Sequence, residues 1–202
     1  MTAHGRAYTM LNNTELKSCR SRGVDRRSRT FSLGADGTLH QTMHNIIRQA
    51  PLINFTTLDI GALLALLTNA ETPMVALNAT HGLAMVWPKG DTAAPGDAAG
   101  SVHRSETMLR GSVYLDSLSW SSGDVAEAAC SALGISANGT TDPISTASNS
   151  ALPAAVYPTA AYILSAFTVN CVSIPISRFD LRIAHGARND DDSSCYLHGK
   201  PH

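Results

Sequence analysis

"VAEAACSALGI", Val125 to Ile135, decides how this chain folds. Its alanines favour a helix, and Ser122 or Asp124 just upstream would cap one. Yet Val125, Glu127, Ala129, Ser131 and Leu133 alternate with Ala126, Ala128, Cys130 and Ala132, the two-residue period of a half-buried strand. We read a strand. Upstream, "ETMLRGSVYLDSLSW" reads as another strand, and "SSGD" between the two supplies a tight turn.

The same reading extends in both directions. "AYTML", "SRTFSLG" and "PLINFTTLDI" carry β-branched and aromatic residues in strand patterns. "LHQTMHNIIRQA" is read as one turn of helix stopped before Pro51. "GALLALLTNA" predicts a short Leu-rich helix opened by a turn at Asp59-Ile60-Gly61. "TPMVALNATHGLAMVWPK" predicts two strands with a turn near His81-Gly82. "AYILSAFTV" and "SIPISRFDLRI" predict a hairpin turning at Asn170. Within it, Ile174 and Ile176 are out of phase by one residue with Phe179, Leu181 and Ile183, which predicts a bulge near Ser177-Arg178. "GDTAAPGDAAGSVHRSE" and "SANGTTDPISTASNSALP" lack an apolar stripe and read as long loops that order against neighbouring subunits. The expected fold is mainly β: a β-sandwich or barrel of eight or more strands, with one or two short helices and long loops, in a single domain over 1–202.

Bulk properties bound the function. Apolar residues make up 44% of the 202 positions, enough for a core, while charged residues make up only 15%. About 25% is usual for a soluble domain, and a surface so poor in charge suits a subunit that lives inside an assembly. The net charge of −1 sets up no global field for nucleic acid or anionic membrane. Residues 1–30 are locally basic through Arg6, Lys17, Arg20, Arg22, Arg26, Arg27 and Arg29, but have few interleaved aromatics, so the stretch reads as a solvated or interfacial face. No run of 18 apolar residues predicts a membrane span. No basic-then-apolar leader is visible either. The cysteines, Cys19, Cys130, Cys171 and Cys195, form no CxxC pair and read as reduced thiols in a protein assembled in the cytosol.

One pattern occurs twice. "GTLHQTMH" (Gly37–His44) and "CYLHGKPH" (Cys195–His202) share Leu-His-x-x-x-His. Aligned upstream without gaps, Cys19 matches Cys171, Ser21 matches Ser173, Arg26 matches Arg178, and Gly34-Ala35 matches Gly186-Ala187. An internal duplication is expected, with 7–44 resembling 161–202, and a C-terminal continuation beyond His202. The spacing of His40/His44 and His198/His202 is that of two ligands on one helix face, and Cys195 stands near the second pair. But Gly37 replaces Cys195 in the first copy and Pro201 opposes a helix, so no metal site is expected and stoichiometric zinc should be absent. "NDDDSS" (Asn189–Ser194) lacks the glycine and glutamate of a calcium loop. No nucleophile-elbow, phosphate-loop or dinucleotide signature occurs. We expect no enzyme, no catalytic residues and no cofactor.

Three stretches resemble a known family. "FSLGADGTLHQTMHNIIRQAPLINFTTLDI", "LRGSVYLDSLSWSSGDVAEAACSAL" and "SALPAAVYPTAAYILSAFTVNCVSIPISRFDL" are similar to patterns in structural proteins of tailed-bacteriophage tails, the tail tube proteins in particular. The resemblance implies a subunit that polymerises into stacked rings around a DNA-conducting lumen. It would contact itself and other tail proteins, with DNA only as passing cargo, and would reside in the virion after assembly in the host cytoplasm. A duplicated chain would form a trimeric ring with pseudo-sixfold symmetry. The alternative is a carbohydrate-binding or adhesin-like β-sandwich, for which Trp87 and Trp120 are the available tryptophans.

Overall fold

The computed structural model describes residues 8–26, 28–34, 41–49, 51–67, 73–88, 103–136, 141–148, 163 and 167–184, with backbone alone at 8, 20–22, 28–34, 41–49 and 88. In chain order the elements are β1 (Tyr8–Leu11), β2 (Thr14–Glu15), β3 (Cys19–Asp25), β4 (Ser28–Gly34), β5 (Gln41–Gln49) and β6 (Leu52–Thr57). Helix α1 (Ile60–Leu66) follows, then β7 (Met74–Ala76), β8 (Leu83–Pro88), β9 (His103–Met108), β10 (Gly111–Ser121) and β11 (Glu127–Gly134). The remainder are β12 (Ile144–Ser148), β13 (Phe167–Val169), β14 (Val172–Ile174) and β15 (Arg178–Arg182).

Two open antiparallel sheets share one core. The first runs β12-β9-β8-β1-β2. The second runs β15-β10-β11-β6-β3, with β7 pairing the first half of the same β10 edge that β15 pairs further on. Leu11, Leu83, Met85, Met108 and Ile144 from the first sheet meet Ile53, Phe55, Val113, Leu115 and Leu118 from the second in one buried cluster. The architecture is a β-sandwich; neither sheet closes into a barrel. Two further pairs, β4 with β5 and β13 with β14, stand as separate hairpins.

The deciding stretch is a central strand. β11 lies between β10 and β6 and turns Ala128, Cys130 and Ala132 inward. Its neighbours put large residues beside these small ones: Ile53 opposite Ala132, Phe55 opposite Cys130, and Val113 and Leu115 on the other side. Large side chains set beside small ones let neighbouring strands interdigitate in one layer. Burial, reinforced by the charge of Asp116 and by Cys19, pushes the Cys130 thiol far up from its ordinary range. A raised acid pKa in the fold contributes stability that is complete below the unfolded thiol's pKa of about 8.5 and is lost as pH rises above it. Stability should therefore fall on the alkaline side, and Cys130→Ala should flatten that fall in a series of denaturant titrations between neutral and alkaline pH. In the native protein Cys130 should resist alkylation while the exposed Cys171 reacts.

The helix is where the leucines place it. Asp59 caps α1, accepting a hydrogen bond from the Ala62 N–H. Its other oxygen accepts from the Lys17 N–H at 3.3 Å, while Thr57 Oγ1 donates to the Lys17 carbonyl at 3.0 Å. These bonds tie the turn before β3 to the helix start, and Ile60 and Leu63 close the core.

Four expectations need correction. The 41–49 segment is strand β5, not a turn of helix: it is paired along its length with β4, and that ladder outweighs local helical spacing. "ETMLRGSVYLDSLSW" is not one strand, because the chain leaves the first sheet after Met108 and enters the second at Gly111. "VHRSE" and "ISTAS", read as loop, supply β9 and β12. The bulge sits elsewhere. Between β14 and β15 the chain runs through residues 175–177 outside any strand and changes partner from β13 to β10, whereas the register slip falls between Leu115 and Ser117 of β10. That slip lets Val113 and Leu115, then Leu118, all reach the core, and Asp116 at the bulge accepts from the Ser131 hydroxyl at 3.0 Å.

Candidate assembly surface

The sandwich carries an appendage. β13 and β14 form a hairpin of three residues a side, turned by Asn170 and Cys171 at φ 49° and 63°. Positive φ at both turn residues is the geometry that matches strand twist in a two-residue hairpin. Such a ribbon is marginal by itself. It is attached through aromatic rings: Phe167 lies 5.5 Å from Phe179 of β15, and Phe179 lies 5.5 Å from Trp120 of β10. Beyond Phe167 the described hairpin residues are exposed.

Its exposed residues are apolar. Among the described residues the exposed large hydrophobics are Leu64, Ile163, Val169, Val172, Ile174 and Leu181. All but Leu64 fall between 163 and 181, and Ile163 and Val172 each keep 64% of their surface. Scattered apolar residues need no explanation, but Val169, Val172 and Ile174 gathered on one small hairpin beside Leu181 make a candidate interaction surface. Beside the hairpin, β15 is an edge strand of the second sheet.

At another edge lies a buried charge cluster. Glu106 of β9 projects between Met85, opposite it on β8, and the rim of the core, and its side chain is 2% exposed. One of its oxygens pairs with Arg104 of the same strand and, at 3.4 Å, with Arg26. Arg26 follows β3 of the other sheet, so this contact spans the sandwich. The Arg26 guanidinium also pairs with Asp142 and donates to Thr146 Oγ1 at 2.7 Å. The Arg104 guanidinium sits 6.0 Å from the Trp87 ring. Two arginines against two carboxylates leave no net charge, and the group works as a clasp between sheets. Among the described residues, the second oxygen of Glu106 and Nδ1 of the buried His103 have no hydrogen-bond partner.

Several residues singled out in the sequence fall outside the described residues: His40, Cys195, His198, His202 and the stretch 189–194. His44 lies in β5, where positions four apart are about 13 Å apart rather than neighbours on a helix face. The two aligned cysteines have different settings: Cys19 opens β3, and Cys171 sits in a hairpin turn. Likewise Arg26 follows a strand paired with β6, whereas Arg178 opens one paired with β10. Both tryptophans are half-buried in packing contacts, Trp87 beneath Arg104 and Trp120 against Phe179. Among the described residues no helix is long and apolar enough to cross a membrane. The clasp was missed because its partners are spread over Arg26, Arg104, Glu106 and Asp142; only the basic stretch around Arg26 gave a signal. No protein-family model matches the chain, and none of the curated proteins matches it.

Proposed function

We propose that the protein is a structural subunit that works by polymerising, as a component of a phage-tail-like tube of stacked rings. The observation that supports assembly is the group of exposed apolar residues between Ile163 and Leu181, of which Val169, Val172 and Ile174 lie on a hairpin with little packing of its own and Leu181 on the neighbouring strand β15. The tail setting rests on the resemblance of the three sequence stretches quoted above. A low density of charge fits the same reading. A closed ring needs one patch to meet a different patch on the next subunit, with more than about 1,000 Å² buried at each contact.

Negative-stain imaging of the purified protein, with its mass measured by light scattering, tests the proposal. Rings or tubes of uniform diameter are expected. A protein that stays monomeric at high concentration, and instead binds a sugar on a glycan array, would replace the tube reading with a carbohydrate-binding module.

A further inference from the structure

We propose that the outer edge of β15 pairs with the same edge of a second copy, in one definite register. The edge has its hydrogen-bonding groups set for this. The Ile183 N–H donates to the Asp116 carbonyl at 2.8 Å, and the Ser122 N–H to the Ser177 carbonyl at 2.7 Å. Odd-numbered residues of β15 therefore aim their backbone groups at β10. By alternation, Arg178, Asp180 and Arg182 aim theirs at the open side. Among the described residues no strand occupies that side. An edge strand normally avoids pairing through charged side chains, proline or a bulge. Arg178–Arg182 has no proline or bulge, and its three charges are of both signs, so they deter most partners and suit one whose charges are complementary.

Charge and packing together select the register. Two copies related by a twofold axis meet antiparallel, and their outward-facing residues must lie opposite one another. With Leu181 on the axis, Arg182 of each copy faces Asp180 of the other, at both ends of the contact. A shift centred on Asp180 sets Asp180 against itself and Arg178 against Arg182. A shift centred on Arg182 sets two arginines together. Opposite charges directly across strands attract and like charges repel, which leaves the Leu181-centred register and a Phe179-centred one that sets Arg178 against Asp180. The second needs two Phe179 rings to meet, and each is already packed against Trp120 and Phe167, whereas Leu181 is exposed, so the Leu181-centred register is the one taken. Arg182 is 84% exposed and Leu181 43% exposed, so both are accessible. Within one copy Asp180 lies 3.4 Å from Arg182 and 3.9 Å from Arg178, so one carboxylate faces two exposed arginines and the pairing lets each Arg182 reach the carboxylate of the other copy. Edge pairing by so short a strand buries less than a stable interface needs. The apolar hairpin, held to β15 by the Phe167–Phe179 contact, adds Val172 and Ile174 to the surface that a second copy covers.

This contact closes after two chains, so it goes beyond the ring contact and does not depend on the tube reading. The test uses full-length protein with Cys171→Gly and Cys195→Ser, adding one cysteine at position 180, 181 or 182. Residues that face each other in a non-hydrogen-bonded antiparallel pair have Cα atoms about 4.5 Å apart, within disulfide range. On mild oxidation Leu181→Cys should give a covalent dimer, whereas Asp180→Cys and Arg182→Cys should not. In the native background, Asp180→Arg and Arg182→Asp should each weaken dimerisation about tenfold or more, and an equimolar mixture of the two should restore it as a heterodimer. Absence of a dimer with Leu181→Cys, equal cross-linking at 182, or no recovery on mixing would overturn the proposal. Rings without this cross-link would sink the edge contact alone; cross-linked dimers without rings would sink the tube reading alone.

Discussion

Arg26→Met is expected to destabilise the fold by about 3 kcal/mol, more than any other single change among the exposed charges. Removing one partner of a buried ion pair leaves the other uncompensated, which typically costs about 3–5 kcal/mol. Glu106 would keep Arg104, but it would lose the cation that comes from the opposite sheet, and its second oxygen has no partner among the described residues. Asp142 would lose its guanidinium as well. The half-exposed setting of Arg26 lets water offset part of this, which places the effect at the low end of the range. The double variant Arg26→Met with Glu106→Leu should be more stable than Arg26→Met alone, because no buried carboxylate is then stranded. Urea titrations of the three proteins measure this. A single variant within about 0.5 kcal/mol of wild type would show that Arg26 is not holding the sheets together.

That clasp marks the boundary of what the sequence reveals. Strands whose inward positions are apolar could be read directly: β6 from "PLINFTTLDI", the hairpin turn at Asn170, and β11 once its alternation was weighed against its alanines. Helix α1 was equally plain, because Asp59 and a run of leucines specify it. β9 and β12 escaped. In β9 the face that carries Met108 to the core also carries the buried Glu106 and, at the rim, the exposed Arg104, and β12 offers only Ile144 to the core. A strand that buries a paired charge instead of a leucine carries no periodic apolar signal. The phase slip in "SVYLDSLSW" was visible in principle: Val113 and Leu115 are odd, Leu118 and Trp120 even, and only a bulge brings all four to one face. The assembly surface was half legible. Its apolar residues stand in "AYILSAFTV" and "SIPISRFDLRI", but only the fold shows that they lie outside the core.

Gly111→Ala should be the most damaging small substitution in the protein. The chain crosses from the first sheet to the second through Leu109 and Arg110, and Gly111 is where it enters the new strand. Its φ is +142°, a region that side chains disfavour. A Cβ placed there would stand 2.0 Å from the Leu133 carbonyl oxygen, a backbone atom on the neighbouring strand that cannot rotate away. Relief requires β10 to move off β11 at the pair Gly111 and Gly134, which also pulls the Gly111 carbonyl from the Leu77 N–H it accepts at 2.9 Å. That bond anchors the chain just after β7, so the damage spreads along the edge of the second sheet. A cost of about 3–4 kcal/mol follows from backbone strain plus lost pairing. In a chain of this size that lowers the melting temperature by about 10 °C. Gly123 supplies the control. Its φ is +82°, yet nothing lies within 4 Å of its would-be Cβ. Gly123→Ala should therefore cost only the left-handed penalty of about 1 kcal/mol. Equal melting temperatures for the two variants would mean that the sheet crossing at Gly111 is not as tight as the geometry requires.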